Sequence, residues 1–204
     1  MKKLYLVTNS DKYDEEEFLR RIEEALKGGV DIVQLREKEK TDKEIIELAK
    51  KVKNLCDKYK IPLIIDDKVH IAWALKIGVH LGYDDFPIFL ARKLLGENAI
   101  IGATAKSLDK AQKAKNDGAD YLGVGAIYPT KTHVKTKITS VETLKEIKEK
   151  VGIDVYAIGG LNETNLEVLK DSKADGICVV RAIMDSDNVY ETTKILKEKI
   201  QEIL

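Results

Sequence analysis

The sequence has few cysteines and no excess of either charge. Only two cysteines occur in 204 residues, Cys56 and Cys178, and their separation matches no spacing typical of a metal or redox site. We therefore expect reduced, packed thiols in a cytoplasmic protein rather than a disulfide. Lysine plus arginine and aspartate plus glutamate number 35 each, so the formal net charge is zero. This balance argues against a nucleic-acid partner, which requires a basic surface.

Long apolar runs are also missing. No stretch approaches the length of a membrane span, so no membrane association is expected. The apolar run after Lys2 and Lys3 is too short for a signal peptide and predicts a first strand. The sequence has three prolines, which lie at the edges of predicted elements, and no Pro- or Ser-rich linker. We expect one domain over residues 1–204.

Short apolar runs alternate with amphipathic helical patterns along the chain. The predicted strands are Leu4 to Thr8, Ile32 to Arg36, Leu63 to Asp66, Val79 to Gly82, Ala99 to Thr104, Tyr121 to Gly125, Val155 to Gly159 and Gly176 to Arg181. Strand followed by helix implies parallel strands joined by right-handed crossovers. Eight repeats predict an α/β fold, a single (β/α)₈ TIM barrel, whose functional groups lie at the carboxyl ends of the strands.

Several local signals mark the helices. Thr41 and Glu44 match a capping box. Side chains able to cap helices stand where three later helices should begin: Ser107, Ser140 and Asn162. We expect His70 at the surface, Trp73 in the core, and His80 in a structural role near the barrel mouth.

The end of the second predicted strand carries an amide and two cations. Gln34, Arg36 and Lys38 alternate in sequence, so an extended backbone would place them on one face. Such a set suits a polyanion, since arginine offers phosphate a bidentate fork and lysine a point charge. For Lys38, an ordinary solvated charge run over residues 37–40 is an equal alternative.

Carboxylates follow the third and fourth strands. Asp66 and Asp67 end one strand, and Asp85 follows the next. Neighbouring strands can bring Asp67 and Asp85 to one metal ion, and hard oxygen ligands beside a phosphorylated substrate favour Mg²⁺. The alternative for Asp66 or Asp67 is an ordinary helix N-cap.

The remaining strand ends offer hydroxyl groups, glycines and one arginine. Thr104 ends the fifth strand, and the loop after the sixth is the most polar and cationic in the chain. Paired glycines at 159 and 160 would allow close approach of the backbone to a ligand. A glycine turn followed by a short helix after the eighth strand predicts the phosphate cup common in these barrels.

Six blocks of sequence carry a family resemblance. They are Val-Gln-Leu-Arg-Glu-Lys (33–38), Ile-Asp-Asp (65–67), Val-His-Leu-Gly (79–82), Gly-Ala-Ile-Tyr-Pro-Thr-Lys-Thr (125–132), Ala-Ile-Gly-Gly-Leu (157–161) and Gly-Ile-Cys-Val-Val-Arg-Ala-Ile (176–183). In order and spacing the chain resembles the thiamine phosphate synthase family nearly end to end. The resemblance implies a transferase that replaces the pyrophosphate of 4-amino-2-methyl-5-(diphosphooxymethyl)pyrimidine with the nitrogen of 4-methyl-5-(2-phosphooxyethyl)thiazole.

The resemblance also implies roles for residues. Gln34, Arg36 and Lys38 would hold the pyrophosphate, with Arg36 and Lys38 acting in catalysis, and Asp67 and Asp85 would bind Mg²⁺. The other substrate contacts would be Asp66 and Thr104 for the pyrimidine diphosphate, and Thr130, Thr132, Gly160, Val180 and Arg181 for the thiazole phosphate, with His133 beside them.

Four positions depart from the family pattern. Asp66 replaces the usual Asn, Tyr83 a Gln, His133 a Lys and Arg181 a Ser. Lys131 or Lys135 could substitute for the lysine missing at 133, and Arg181 could bind phosphate or pair with Asp185. Two alternative functions are a thiazole tautomerase on a similar barrel and a non-catalytic barrel that binds a phosphorylated ligand or regulates. The sequence is also compatible with a homo-oligomer.

Overall fold

Eight parallel strands close into a barrel. The computed structural model describes residues 1–129 and 138–204. The strands are β1 Lys3–Val7, β2 Ile32–Leu35, β3 Leu63–Asp66, β4 Gly78–Leu81, β5 Ile101–Ala105, β6 Tyr121–Gly125, β7 Asp154–Ile158 and β8 Gly176–Val179. Each strand pairs with its neighbours in sequence, and β8 pairs with β1 to close the ring. The predicted (β/α)₈ barrel is confirmed.

Helices surround the barrel between successive strands. They are α1 Glu15–Gly28, α2 Asp42–Tyr59, α3 Val69–Leu75, α4 Ile88–Leu95, α5 Leu108–Asn116, α6 Val141–Val151, a 3₁₀ helix Leu166–Leu169, α7 Arg181–Met184 and α8 Val189–Ile203. Within the two described ranges, no helix combines the length and apolarity that crossing a membrane requires.

Two layers of packed side chains hold the fold. The outer layer joins the strands to the helices, as where Phe18 and Ile22 of α1 meet the outward residues of β1. The inner layer fills the barrel with large rings, including Tyr5, Tyr121 and Tyr156. Small residues make room for them: a Cβ atom on Gly102 would lie 2.0 Å from the Tyr121 ring. The barrel interior is therefore a core rather than a channel.

The local helix signals hold at most positions. Thr41 and Glu44 form the predicted capping box, and Ser107 and Ser140 cap α5 and α6. Gly29 ends α1 with a positive φ of 105°, a conformation that glycine adopts without steric penalty.

Asn162 was predicted to cap a helix, and that prediction is wrong. Its Oδ1 accepts a hydrogen bond of 2.9 Å from the backbone N–H of Thr164, two residues later, which forms an Asx turn. The chain then continues into the 3₁₀ helix instead of an α-helix.

The predicted core position of Trp73 is also wrong, since this side chain is 61% exposed. Helix α3 has seven residues and buries Val69, Ile71 and Ala72, so Trp73 falls on its outer side. His70 lies at the surface as predicted, 2.8 Å from Asp42.

Both cysteines are free and buried, and burial raises the pKa of Cys56 to about 12.

Strand ends differ from the prediction by one or two residues. Strand β2 ends at Leu35 and β8 at Val179, so Arg36 and Arg181 lie beyond their strands. Arg181 instead begins α7, after Val180 leaves the extended conformation with a ψ of −81°.

Candidate functional site

The end of β2 turns its polar side chains toward the barrel mouth and interior. Gln34 is buried, and its Nε2 donates a hydrogen bond of 2.7 Å to the Tyr5 hydroxyl. The backbone N–H of Arg36 donates to Thr8 Oγ1, and its Nε lies 3.7 Å from an Asp66 oxygen. Arg36 therefore stands at the rim, while Gln34 reaches down into the inner layer.

Lys38 joins the same cluster rather than the solvated run. Its Nζ lies 2.7 Å from Asp66 and also contacts Asp67. Burial disfavours the ammonium form, but the hydrogen bonds to the two carboxylates outweigh burial, and the pKa of Lys38 is raised. The lysine is charged at neutral pH, with its charge held next to that of Arg36.

Two of the three aspartates meet across β3 and β4. Asp67 has a φ of 58°, and its backbone N–H donates to the His80 carbonyl on β4. This conformation, which aspartate tolerates better than most residues, turns the chain toward the neighbouring strand. The Asp67 carboxylate reaches hydrogen-bonding distance of Asp85, whose Oδ2 accepts from the N–H of Gly82 at 2.6 Å. Lys68 stands at the N-cap of α3, so neither Asp66 nor Asp67 is that cap.

The charges of this aspartate pair are unequal. Burial and the nearby Asp67 raise the pKa of Asp85. For Asp67 burial acts in the same direction, but the contacts with Lys38 and Asp85 prevail and lower its pKa. Two carboxyl groups at this distance repel each other when both are ionised, and a bound cation would relieve the repulsion.

The donor set matches what Mg²⁺ requires from a protein. In the described part of the chain, no three His, Cys, Asp or Glu side chains cluster tightly enough to hold a metal by themselves. Mg²⁺ is ordinarily held by one or two carboxylates, with water and substrate phosphate completing its shell. Asp67 and Asp85 could supply the protein's share.

Thr104 ends the line of polar groups at the mouth. Its Oγ1 lies 3.0 Å from Nε2 of His80, whose Nδ1 lies 3.1 Å from the Tyr121 hydroxyl. Tyr121 in turn lies 2.7 Å from the Tyr5 hydroxyl. Sequence reasoning assigned no site role to Tyr5 or Tyr121. The signal available was their position in apolar strands that otherwise carry aliphatic residues and glycine.

The opposite side of the mouth is built from the ends of β7 and β8. Gly159 and Gly160 have φ values of 104° and 66°, and Cβ atoms there would lie 2.4 Å from Ala126 and 2.6 Å from Tyr128. The close approach that these glycines permit is thus to the chain's own loop after β6. Three predicted site residues of that loop, Thr130, Thr132 and His133, lie outside the described residues.

Arg181 pairs with Asp185, one of the two alternatives predicted for it. Its Nε lies 2.8 Å from Asp185, which also accepts from Lys12 at 2.8 Å. A cavity of about 340 Å³ borders Arg181 and Asn162. Val180 and Gly160 belong to the segments on either side of it.

Tyr83, a position singled out from the sequence, is exposed with the Lys110 ammonium 3.6 Å from its ring centre.

Comparisons with known proteins agree on one family. The family model described as thiamine monophosphate synthase matches residues 4–183. The chain is 48% identical over 194 residues to a thiamine-phosphate synthase of Clostridium tetani, covering 95% of this chain and 93% of that one. It is 50% identical over 199 residues to that of Methanobrevibacter smithii, covering 96% and 94%. A thiamine phosphate pyrophosphorylase from Pyrococcus furiosus superposes with a TM-score of 0.90 at 36% identity, covering 99% and 96%.

Proposed function

Because the chain belongs to the thiamine monophosphate synthase family, we propose that it condenses the pyrimidine diphosphate with the thiazole phosphate, giving thiamine phosphate and pyrophosphate. One observation carries the proposal: Arg36 and Lys38 meet the carboxylates of Asp66 and Asp67 at one side of the barrel mouth. A pyrophosphate group needs cations, and a divalent ion needs carboxylates, so these residues offer the groups that a metal–pyrophosphate site would use.

The difficult step is the departure of a highly charged leaving group. The electron-rich aminopyrimidine can support positive charge on its methylene carbon as the C–O bond to pyrophosphate breaks. Arg36 and Lys38 stabilise the negative charge that develops on the departing oxygens, in a position fixed before the reaction begins. Asp67 and Asp85 would hold Mg²⁺, which would supply further positive charge to stabilise the leaving group.

The second substrate provides its own nucleophile. The thiazole nitrogen attacks the methylene carbon through its lone pair, so no protein group has to remove a proton. The protein's task is to hold the two substrates in line. We assign the thiazole phosphate to Gly160, Val180 and Arg181, together with Thr130 and Thr132 of the loop after β6. We assign His133 of the same loop to the pyrophosphate, in place of the lysine usual in the family.

Arg181 changes partners in this proposal. It is held by Asp185 at 2.8 Å, and Lys12 shares that carboxylate. When a phosphate group enters, Lys12 can keep Asp185 paired while the guanidinium turns to the phosphate. Exposed ion pairs of this kind contribute about 1 kcal/mol or less, so the exchange has a small cost.

Incubation of the purified protein with defined substrates tests the function. With Mg²⁺ and both phosphorylated precursors, we expect thiamine phosphate and pyrophosphate, and neither product when one precursor is left out. Tautomerisation of a thiazole phosphate without coupling would favour the tautomerase. Binding of both precursors without any conversion would favour a regulatory barrel. Either outcome would contradict the proposal.

A further inference from the structure

A continuous line of polar groups crosses the barrel interior, buried at Gln34, Tyr5 and Tyr121 and partly buried at His80 and Thr104. It runs from Gln34 through Tyr5, Tyr121 and His80 to Thr104, with contacts of 2.7, 2.7, 3.1 and 3.0 Å. The two tyrosines are buried, and burial raises the pKa of both hydroxyls, so each keeps its single proton. The line joins the pyrophosphate side of the mouth to the end of β5.

The direction of each hydrogen bond follows from the Gln34 end. The Gln34 amide donates to Tyr5, which has one proton of its own to give. If Tyr121 also donated to Tyr5, the buried Tyr5 proton would have no acceptor in the described part of the chain. An unpartnered buried donor carries a full desolvation penalty. Tyr5 therefore donates to Tyr121, and Tyr121 donates to Nδ1 of His80.

The protonation of His80 determines the direction of its hydrogen bond with Thr104. Nδ1 carries no proton because it accepts from Tyr121, so the ring is neutral and has a single proton. Because Nδ1 accepts from Tyr121, the proton sits on Nε2 and is donated to Thr104 Oγ1, 3.0 Å away. The Thr104 hydroxyl then accepts from below, and its own proton is left for an acceptor in the mouth.

We propose that Tyr5 and Tyr121 are positioning residues that lock His80 as the Nε2–H tautomer and so make Thr104 a hydrogen-bond donor to the pyrimidine diphosphate. The substrate atom must be an acceptor, and a phosphate oxygen is the acceptor that the neighbouring cations would bring there. This part rests on the proposed function, whereas the tautomer of His80 does not.

Nitrogen-15 NMR of the histidine rings in the free protein tests the locked tautomer without any substrate. The chain has three histidines, and the His80 signals are assigned by their loss in the variant His80→Gln. We expect an unprotonated Nδ1 and a protonated Nε2 at pH 8. A protonated Nδ1, or a rapid mixture of the two tautomers, would overturn the proposal even if the enzyme couples its substrates normally.

Two tyrosine variants distinguish the effect of these hydrogen bonds from the effect of ring packing. Tyr121→Phe removes the donor to Nδ1, and we expect the His80 tautomers to mix. Tyr156→Phe is the matched control. Its ring packs against Tyr5 and Tyr121, but its hydroxyl donates to Asp154 outside the line. The control should retain the wild-type tautomer. Identical His80 spectra in Tyr121→Phe and wild type would exclude the role of Tyr121.

Kinetics then test whether Tyr121 acts through Thr104. Losing one well-placed hydrogen bond should raise KM for the pyrimidine diphosphate about threefold to tenfold in Tyr121→Phe, and KM for the thiazole phosphate should not change. In a Thr104→Val background, Tyr121→Phe should add nothing further. Additive losses would show that Tyr121 acts by another route. If neither the wild-type protein nor any variant couples the substrates, the proposed function is wrong. The NMR measurement still tests the His80 tautomer independently.

Discussion

Single residues at the mouth balance opposite charges at short range. Arg36 and Lys38 face Asp66 and Asp67, so each charge has a partner before any ligand enters. Asp66 is the carboxylate that contacts both cations. Asp66 therefore serves to hold Arg36 and Lys38 together in the ligand-free enzyme. In the proposed reaction, pyrophosphate would compete with Asp66 for these two cations.

Arg36 should matter to the reaction far more than to the fold. We expect Arg36→Ala to lower kcat/KM for coupling by about 100-fold or more, since removal of one preorganised donor to developing charge typically costs that much. Steady-state release of pyrophosphate measures it. The control is Arg20→Ala on α1, where Arg20 also pairs with carboxylates, those of Glu17 and Glu24. Equal activity of the two variants would remove Arg36 from the pyrophosphate site.

Asp85 offers a test of the metal site that needs no turnover. In Asp85→Asn the repulsion with Asp67 disappears, so the melting temperature in EDTA should equal or exceed that of wild type. The rise in melting temperature that Mg²⁺ gives the wild type should be lost. Asp84→Asn, a change of the exposed neighbouring residue, should keep that rise. An undiminished Mg²⁺ effect in Asp85→Asn would contradict the assignment of Asp85.

At the scale of secondary structure elements, the capping box at the start of helix α2 stabilises the fold and lies outside the candidate site. Its Thr41 side chain accepts from the Glu44 N–H, while the Glu44 carboxylate accepts from the Thr41 N–H. We expect Thr41→Ala to lower the free energy of unfolding by about 1 kcal/mol and Thr41→Ser to preserve it. Urea denaturation measures both. A Thr41→Ala variant as stable as wild type would show that the cap contributes nothing here.

Elements of this kind were predictable because their signals are local. Strand positions and the capping box depend on residues a few positions apart, and the structure places them within one or two residues of prediction. Trp73 was misjudged because the short helix α3 buries Val69, Ile71 and Ala72 instead, and Asn162 because its side chain forms an Asx turn rather than a helix cap. The order of the elements was enough to predict the barrel.

The inner polar line could not be predicted in the same way. Tyr5 and Tyr121 are separated by 116 positions in sequence, and their hydroxyls meet only because of the strand register around the closed barrel. The alternation of side chains gives the inward face of each strand, but it does not give the height of one strand relative to another. Contacts across the barrel therefore required the structure.

At the scale of the whole molecule, barrel closure brings eight strand ends to one rim. Positive and negative groups cancel over the chain, and they also pair at this rim, where the cations that follow β2 lie beside the carboxylates at the end of β3. Membership of the thiamine monophosphate synthase family confirms the family and transferase class predicted from the six sequence blocks. The roles of individual rim residues remain predictions of the sequence and geometry together.

A time course of product formation tests the proposed reaction and its dependence on Mg²⁺ together. The wild-type protein is mixed with Mg²⁺ and both precursors, and thiamine phosphate and pyrophosphate are quantified together. We expect equal amounts of the two products at every time, no reaction in excess EDTA, and recovery when Mg²⁺ is restored. Unchanged product formation in EDTA would contradict the metal–pyrophosphate site, and the absence of both products with Mg²⁺ present would contradict the proposed reaction itself.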